Sequence, residues 1–180
     1  MTTVVLVGGN GYIGREITQQ WLERDPKAEF YVTSRTDRHV VEDPRVHHVQ
    51  VNPEDAAAFE QALPESADYV VNLTYGSVAV LNSLRIYAER HGAQAIGNIN
   101  AVATTPGFED FVAMKKAELE YLRKSDVRVA NVDLTAAYGA GRDDELAARI
   151  KSGALDDQSP VHVEIVACLL IDRLLREWAE

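Results

Sequence analysis

Short apolar runs of strand length alternate with longer segments of helical spacing along the whole chain. The apolar runs predict strands over 4–7, 30–32, 46–51, 68–73, 95–101 and 127–134. The segments with helical spacing predict helices over 13–24, 56–63, 78–91, 108–124, 146–151 and 163–178. Strands and helices that alternate in this way are typical of a parallel sheet with crossover helices. The pattern therefore predicts one doubly wound α/β domain over residues 1–180, with a mostly parallel sheet of about six strands.

Glycines cluster between the first predicted strand and the first predicted helix. Glycines 9, 11 and 14 fit the spacing G-x-G-x-x-G, whereas glycines 8, 11 and 14 fit G-x-x-G-x-x-G, and the sequence leaves both registers open. Side chains must be absent where a backbone turns sharply and approaches a pyrophosphate, whose charge is met by amide N–H groups and the positive end of a helix. We therefore predict a dinucleotide diphosphate on this loop, contacted by Gly8, Asn10, Gly11, Tyr12, Ile13 and Gly14.

The end of the second predicted strand indicates which dinucleotide is preferred. An acidic residue there accepts a hydrogen bond from the ribose 2′-hydroxyl of NAD, whereas a cation accommodates the 2′-phosphate of NADP. The strand ends in Ser34-Arg35, Arg38 follows closely, and no acid occupies the decisive position. NADP is therefore predicted over NAD, with Ser34, Arg35 and Arg38 as ligands; the alternative is that Arg35 is an ordinary solvated cation.

Composition restricts the partners. Among 180 residues, 18 are Lys or Arg and 28 are Asp or Glu, so the formal charge of −10 disfavours nucleic acid and anionic membranes and favours a small-molecule substrate. The longest apolar run, 165–171, is too short for a transmembrane helix, and the amino end does not resemble a secretory signal. The only cysteine is Cys168, and histidines lack zinc-site spacing, which predicts a cytoplasmic protein without a metal site.

These motifs resemble the short-chain dehydrogenase/reductase superfamily, in its extended or atypical branch of epimerase-like and NmrA-like proteins. Gly8-x-x-Gly11-x-x-Gly14 resembles the branch's phosphate loop, and Asn52 stands where the family usually has an Asp beside adenine. Asn72-Leu73-Thr74 resembles the segment that passes beneath the cofactor. The resemblance implies a Rossmann fold that binds NAD(P), with Asn52, Leu73 and Thr74 as further cofactor contacts.

The resemblance extends to the segments expected to carry the chemistry. The 116–120 segment, Lys-Ala-Glu-Leu-Glu, resembles the helix with the active-site Lys, although Lys115 lies in the apolar stripe of the same helix. We prefer Lys116, acting on the nicotinamide ribose, and Lys115 stays the alternative. The family's Tyr four residues before the Lys is replaced by Val112 counted from Lys116, or by Phe111 counted from Lys115. Neither side chain can donate a proton.

Three polar groups after predicted strands are candidates to replace that acid. Tyr75 follows the fourth strand and Tyr138 the sixth, and the carboxyl ends of the strands border the ligand crevice of such a fold. Asn100 ends the fifth strand, where it would donate a hydrogen bond to a substrate carbonyl; Thr104 and Thr105 lie just beyond. We predict Tyr75, Tyr138 and Lys116 as catalytic candidates.

The function predicted from these observations is an NADP-dependent oxidoreductase of atypical short-chain type. One alternative is a noncatalytic NAD(P)-binding sensor or regulatory protein that has lost the acid. Another is a nicotinamide-dependent enzyme similar to the sugar epimerases and dehydratases. The apolar stripe of the helix over 108–124 further predicts a homodimer.

Overall fold

The computed structural model describes residues 1–102, 106–155 and 159–175. The strands are β1 (Thr3–Val7), β2 (Glu29–Ser34), β3 (Val46–Gln50), β4 (Tyr69–Asn72), β5 (Ala95–Ala101), β6 (Arg128–Leu134), β7 (Ala137–Tyr138) and β8 (Val161–His162). The helices are α1 (Tyr12–Arg24), α2 (Ala56–Ala62), α3 (Val78–Arg90), α4 (Glu109–Leu122), α5 (Glu145–Lys151) and α6 (Val163–Leu175). Every predicted strand and helix is present. Thr104, Thr105 and the predicted end of the last helix at residue 178 lie outside the described residues.

Six strands form one parallel sheet in the order β3-β2-β1-β4-β5-β6. The chain runs outward from β1 to β3, returns to the middle of the sheet as β4 and continues to β6. This order is that of a doubly wound Rossmann fold, so the predicted fold class is confirmed. The direction of winding reverses between β1 and β4, which is where ligands bind in open α/β sheets.

Helices cover both faces of the sheet, and this explains the continuous apolar runs of the strands. On one face α1 and α6 pack on the sheet around Trp21 and Phe30, whose rings meet edge to face at 6.0 Å. On the other face α2 and α3 pack with Phe59 and Tyr87 in the core. Residues 4–7 of β1 lie between the two layers and are fully buried. A strand that is buried on both faces needs apolar side chains at consecutive positions.

β7 and β8 form a separate two-stranded parallel sheet that the sequence pattern did not predict. Ala137 pairs with Val161, and Tyr138 pairs with His162. Two-residue strands are too short to show a period of two. Their pairing brings the segment after β6 to the start of α6, beside the carboxyl edge of the large sheet.

None of the helices in the described part of the chain has the length and hydrophobicity that a membrane crossing requires. The apolar stripe of α4, which predicted a homodimer, contributes Leu119 and Leu122 to the chain's own core, where they are 5% and 0% exposed. These two side chains are therefore not available to a second copy, and the homodimer stays a prediction.

Candidate functional site

The glycine loop between β1 and α1 combines packing glycines with one glycine that packing does not require. Gly8 has a φ of +74°, a left-handed conformation that favours glycine. A Cβ atom at Gly14 would lie 2.1 Å from the Gly9 carbonyl oxygen, so only glycine lets α1 begin this close to the loop. A Cβ at Gly11, in contrast, would meet no atom of the described residues within 4 Å. The space beside Gly11 is therefore open to a ligand.

Helix α1 begins at this open position. Gly11 is its N-cap residue and has no side chain with which to cap the first amides. The first turn, from Tyr12 to Arg15, holds no acidic residue. Both features leave the positive end of the helix dipole without an anionic partner from its own first turn.

A cavity of about 530 Å³ lies beside this helix start, over the carboxyl ends of the central strands. The glycine loop and the start of α1 line it on one side, and the segment after β4 (Leu73, Thr74) and Asn100 of β5 line it on the other. The charged residues among its described lining are Lys115, Arg142 and Asp144. Lys115 is ion-paired with Glu118 and Arg142 with Asp144, so the feature of the cavity that suits an anionic ligand is the uncapped start of α1.

Lys115, and not Lys116, faces the cavity. The side chains of consecutive helical residues differ by about 100° in direction. Lys115 is 7% exposed and lines the cavity, whereas Lys116 is exposed and is not among the described lining residues. The preference for Lys116 was based on the motif over 116–120. The apolar stripe of α4, which includes position 115, was the better indication of the face that is turned inward. Lys115 therefore replaces Lys116 as the site candidate.

Lys115 belongs to a buried ion pair that also holds the loop after β4. Its Nζ lies 2.5 Å from Oε2 of Glu118, which is 4% exposed. The other carboxylate oxygen, Oε1, accepts a hydrogen bond from the Gly76 amide at 2.7 Å, and Lys115 Nζ lies 3.5 Å from the Thr74 carbonyl oxygen. Glu118 thus joins α4 to the segment expected to pass beneath a cofactor.

The two candidate tyrosines have different positions. Tyr75 lines the cavity at its rim, is 68% exposed and meets Phe111 edge to face at 5.7 Å. In β7 it is Ala137 that lines the cavity, while Tyr138 packs edge to face on His162 and is not among the described lining residues. Successive side chains of a strand point to opposite sides. Of the two phenols, only that of Tyr75 is placed at the described cavity.

The residues predicted to contact the adenosine half of the cofactor lie together near the carboxyl ends of β2 and β3. The side chain of Arg35 is 63% exposed, and its Nη2 lies 3.7 Å from Oε1 of Glu54. Asn52 Oδ1 accepts the amide hydrogen of Glu54 at 3.2 Å. Asn10 Nδ2 donates to the Arg38 carbonyl at 2.7 Å, which ties the glycine loop to the segment after β2. The hydroxyl of Ser34 lies nearby and accepts a hydrogen bond from the Thr36 amide at 3.3 Å.

A family model described as the NAD dependent epimerase/dehydratase family matches residues 4–115, which is more than half of the chain. The matched stretch contains the glycine loop, the edge after β2 and the buried Lys115. The chain belongs to this epimerase/dehydratase family. The predicted resemblance to the extended short-chain dehydrogenase/reductase branch is thereby confirmed.

Three solved structures with a similar fold are 14% to 18% identical in sequence to this epimerase/dehydratase-family chain. At this level of identity the similarity supports the fold and not a shared activity. WbmH of Bordetella bronchiseptica, in complex with NAD⁺, has a TM-score of 0.78 at 16% identity, covering 97% of this chain and 72% of WbmH. WbmG of the same organism, with NAD and UDP, has a TM-score of 0.67 at 18% identity, covering 83% and 60%. UDP-glucose 4-epimerase of Thermotoga maritima, with UDP-glucose, has a TM-score of 0.72 at 14% identity, covering 94% and 72%. No curated protein matches the sequence.

The site of this epimerase/dehydratase-family chain contains an arginine that sequence reasoning missed. Arg142 Nη1 donates to the Tyr12 hydroxyl at 2.8 Å and to the Ala137 carbonyl at 2.6 Å, while its Nε lies 3.0 Å from Asp144 Oδ1. The hydrogen bonds from Arg142 lower the pKa of the Asp144 carboxyl, and burial raises the pKa of the Tyr12 phenol. Tyr12 and Arg142 are 130 residues apart in sequence, so no local spacing indicated their contact.

Asp144 has a second role, because its side chain also accepts the Ala147 amide hydrogen and caps α5. Arg142 therefore links the segment between β6 and α5 to Tyr12, the first residue of α1. Among the described residues, no group of three or more His, Cys, Asp or Glu side chains is arranged to hold a metal ion.

Proposed function

We propose that this chain is an NADP-dependent oxidoreductase of the epimerase/dehydratase family that binds the cofactor diphosphate at the glycine loop and acts on a small molecule. The observation that carries the proposal is the start of α1, where a side chain is absent at Gly11 although packing does not require its absence. When bound, the cofactor supplies a hydride acceptor or donor.

Each part of the site has a role in this proposal. The amides at the start of α1 bind the diphosphate, and Asn10 keeps the loop in place through the Arg38 carbonyl. Leu73 and Thr74 support the nicotinamide half from below. Lys115 presents its ammonium group to the ribose hydroxyls, and Glu118 holds that ammonium group in position.

The preference for NADP rests on the edge after β2. The position at the end of β2 where a carboxylate would receive a 2′-hydroxyl is occupied by Ser34 and Arg35. Arg35 is exposed at that point, and its 3.7 Å separation from Glu54 leaves it able to turn toward a phosphate. A bidentate contact between a guanidinium and a phosphate is stronger than a neutral hydrogen bond.

A second candidate function is a sugar epimerase or dehydratase that retains its nicotinamide cofactor. The family model and the solved neighbours with UDP or UDP-glucose favour this candidate. Phe111 and Val112 at the position of the family's phenol count against it, since the phenols at the described cavity are then Tyr75 at its rim and Tyr12, whose hydroxyl accepts a hydrogen bond from Arg142. The two candidates differ in outcome, because an oxidoreductase consumes NADPH in proportion to product and an epimerase does not.

A matched pair of variants on α1 tests the proposed binding mode. Gly11→Asp introduces an N-cap residue that suits a helix start, so the protein should fold normally. The new carboxylate would occupy the diphosphate position, and titration calorimetry should show NADPH affinity reduced by about 10- to 100-fold or more, the value of a lost charged contact. Gln19→Glu adds the same charge on the exposed side of α1 and should leave the affinity unchanged. Equal affinities of the two variants would contradict the proposal.

The cofactor preference has its own test. Arg35→Ala should weaken NADPH binding by about 10-fold or more while changing NADH binding little, because the 2′-phosphate is the group that Arg35 contacts. Both affinities are measured by the change in nicotinamide fluorescence on binding. An equal loss of affinity for both cofactors would show that Arg35 does not contact the 2′-phosphate. Binding of both without turnover of any small molecule would favour the sensor function.

A further inference from the structure

Large apolar side chains line the part of the cavity that is formed by the segment after β4, the start of α4 and the start of α5. Tyr75 and Phe111 meet there edge to face, with ring centroids 5.7 Å apart. We call this surface the apolar wall, and it consists of Tyr75, Phe108, Phe111, Val112 and Leu146. The Tyr75 hydroxyl is the one polar side-chain group of these five residues.

Two rings of the apolar wall are exposed side by side. Tyr75 is 68% exposed and Phe111 is 38% exposed. A single exposed ring is ordinary on a protein surface, but apolar groups that are exposed together beside a cavity mark a surface that a ligand covers. Covering both rings removes apolar area from water, which favours the binding of an apolar ligand.

Polar side chains elsewhere in the cavity lining are engaged within the chain. Lys115 pairs with Glu118, and Asn100 Nδ2 donates to Asp133 Oδ1 at 3.0 Å. Further polar lining residues with partners in the described chain are Asn72, Thr74, Thr135 and Arg142. A sugar carries hydroxyl groups on most of its carbons, and each of them needs a hydrogen-bond partner when it leaves water. The apolar wall therefore suits a flat apolar molecule better than a sugar.

The position of the family's phenol gives a second, independent observation. Counted from Lys115, that position is Phe111, which cannot donate a proton. Hydride transfer to an ordinary ketone produces an alkoxide, a strong base that needs a general acid beside it. Hydride transfer to a quinone produces a hydroquinone anion, whose conjugate acid has a pKa of about 10, as phenols have, so water can protonate it. A quinone is therefore the carbonyl substrate that the loss of the phenol affects least.

We propose that the substrate is a planar quinone, which lies against the apolar wall and takes up a hydride from NADPH. The proposal rests on the proposed function, because it needs the reduced cofactor beside the wall. The C–H bond at the nicotinamide C4 breaks, an O–H bond forms at one quinone oxygen, and the quinone ring becomes aromatic. The second oxygen carries the negative charge and takes a proton from water. NADPH is thereby oxidised to NADP⁺, and the quinone is reduced by two electrons to the hydroquinone.

Binding is tested first, by titration calorimetry on the complex with NADP⁺, in which no turnover occurs. The probe is 2-naphthol, because it is planar and aromatic and cannot accept a hydride. It should bind, and UDP-glucose should not displace it. Phe111→Ser removes one ring of the apolar wall and should lower the affinity for 2-naphthol by about 10-fold or more. Leu169→Ser is the control: it removes a side chain that is 41% exposed on α6, outside the described cavity lining, and should leave the affinity unchanged.

Turnover is measured anaerobically with duroquinone, whose ring carbons are all substituted, so that it cannot add to Cys168. Wild type should oxidise one NADPH for each quinone reduced, and Phe111→Ser should lower kcat/KM by about 10-fold or more. Phe111→Tyr keeps the ring and supplies the missing phenol. It should leave the rate with duroquinone nearly unchanged, because the hydroquinone anion takes its proton from water. A gain approaching the roughly 100-fold effect of a general acid would overturn the assignment to a quinone.

The inference is overturned if wild type does not bind 2-naphthol, if UDP-glucose displaces the probe, or if Phe111→Ser binds it as tightly as wild type does. It is also overturned if wild type binds NADPH and does not reduce duroquinone. If neither NADP⁺ nor NADPH binds to wild type, it is the proposed function that fails.

Discussion

The two sides of the cavity are built by different means. On the side of β1 and α1 the binding surface is backbone, and glycines expose it. On the side of β5, α4 and the segment after β6, the surface consists of side chains that are held by other side chains: Lys115 by Glu118 of the same helix, Asn100 by Asp133 of β6, and Arg142 by Tyr12 of α1. The family pattern is kept on the first side and broken on the second, where Phe111 and Val112 stand at the position of the phenol.

The difference shows which kind of site can be recognised from a sequence motif. A backbone site depends on a few glycines at set spacing, so any change there is visible in the sequence. A side-chain site can exchange its groups while the frame stays the same. We therefore expect the glycine side to specify the cofactor and the opposite side to specify what is distinct about this chain.

The largest effect is expected within the glycine loop itself, where two glycines differ in purpose. Gly14→Ala would place a Cβ 2.1 Å from the Gly9 carbonyl oxygen, and the free energy of unfolding in urea should fall by about 3 kcal/mol or more. Gly11→Ala has space for its Cβ and should change that free energy by less than about 1 kcal/mol. Similar losses for both would mean that Gly11 also serves packing.

On the opposite side, the buried ion pair should distinguish two neighbouring lysines. Lys115→Met leaves Glu118 buried without its cation and should lower the free energy of unfolding by about 3 kcal/mol. Lys116→Met changes an exposed residue and should stay within about 0.5 kcal/mol of wild type. Adding Glu118→Gln to Lys115→Met should restore part of the loss, since no unpaired charge remains. Equal effects of the two lysines would argue against the position of Lys115.

The smallest effect concerns the ion pair between Arg142 and Asp144. Arg142 lowers the pKa of Asp144, so the stability from this pair is present above the ordinary carboxyl pKa of about 3.9 and is lost as pH falls through the lower folded value. Asp144→Asn keeps a capping residue on α5. Below about pH 4 its free energy of unfolding should decrease less than that of wild type, by a difference of about 0.5 kcal/mol or less, because the Asp144 carboxylate is half exposed. Thermal unfolding against pH measures it; an unchanged acid curve would contradict the role of the pair.

Several features of the fold and of the glycine side were predictable because they follow from local spacing. The strand over 95–101 was predicted at the bounds observed for β5, and the helix over 78–91 lies within one residue of α3. The helix after the glycine loop was predicted to begin at residue 13, one residue after the observed start at Tyr12, because such a loop must be free of side chains. The two-residue strands β7 and β8 were missed, since pairing across 24 residues leaves no local pattern.

By itself the sequence determined the order of strands and helices, the glycine loop and the absence of the family's phenol, since these depend on residue type and spacing along the chain. Only the tertiary structure decided that Lys115 faces the cavity, that Asn100 donates a hydrogen bond to Asp133 and that Arg142 contacts Tyr12. Each of these depends on the direction in which a side chain leaves its helix, strand or loop, and that direction is set by packing between elements far apart in sequence.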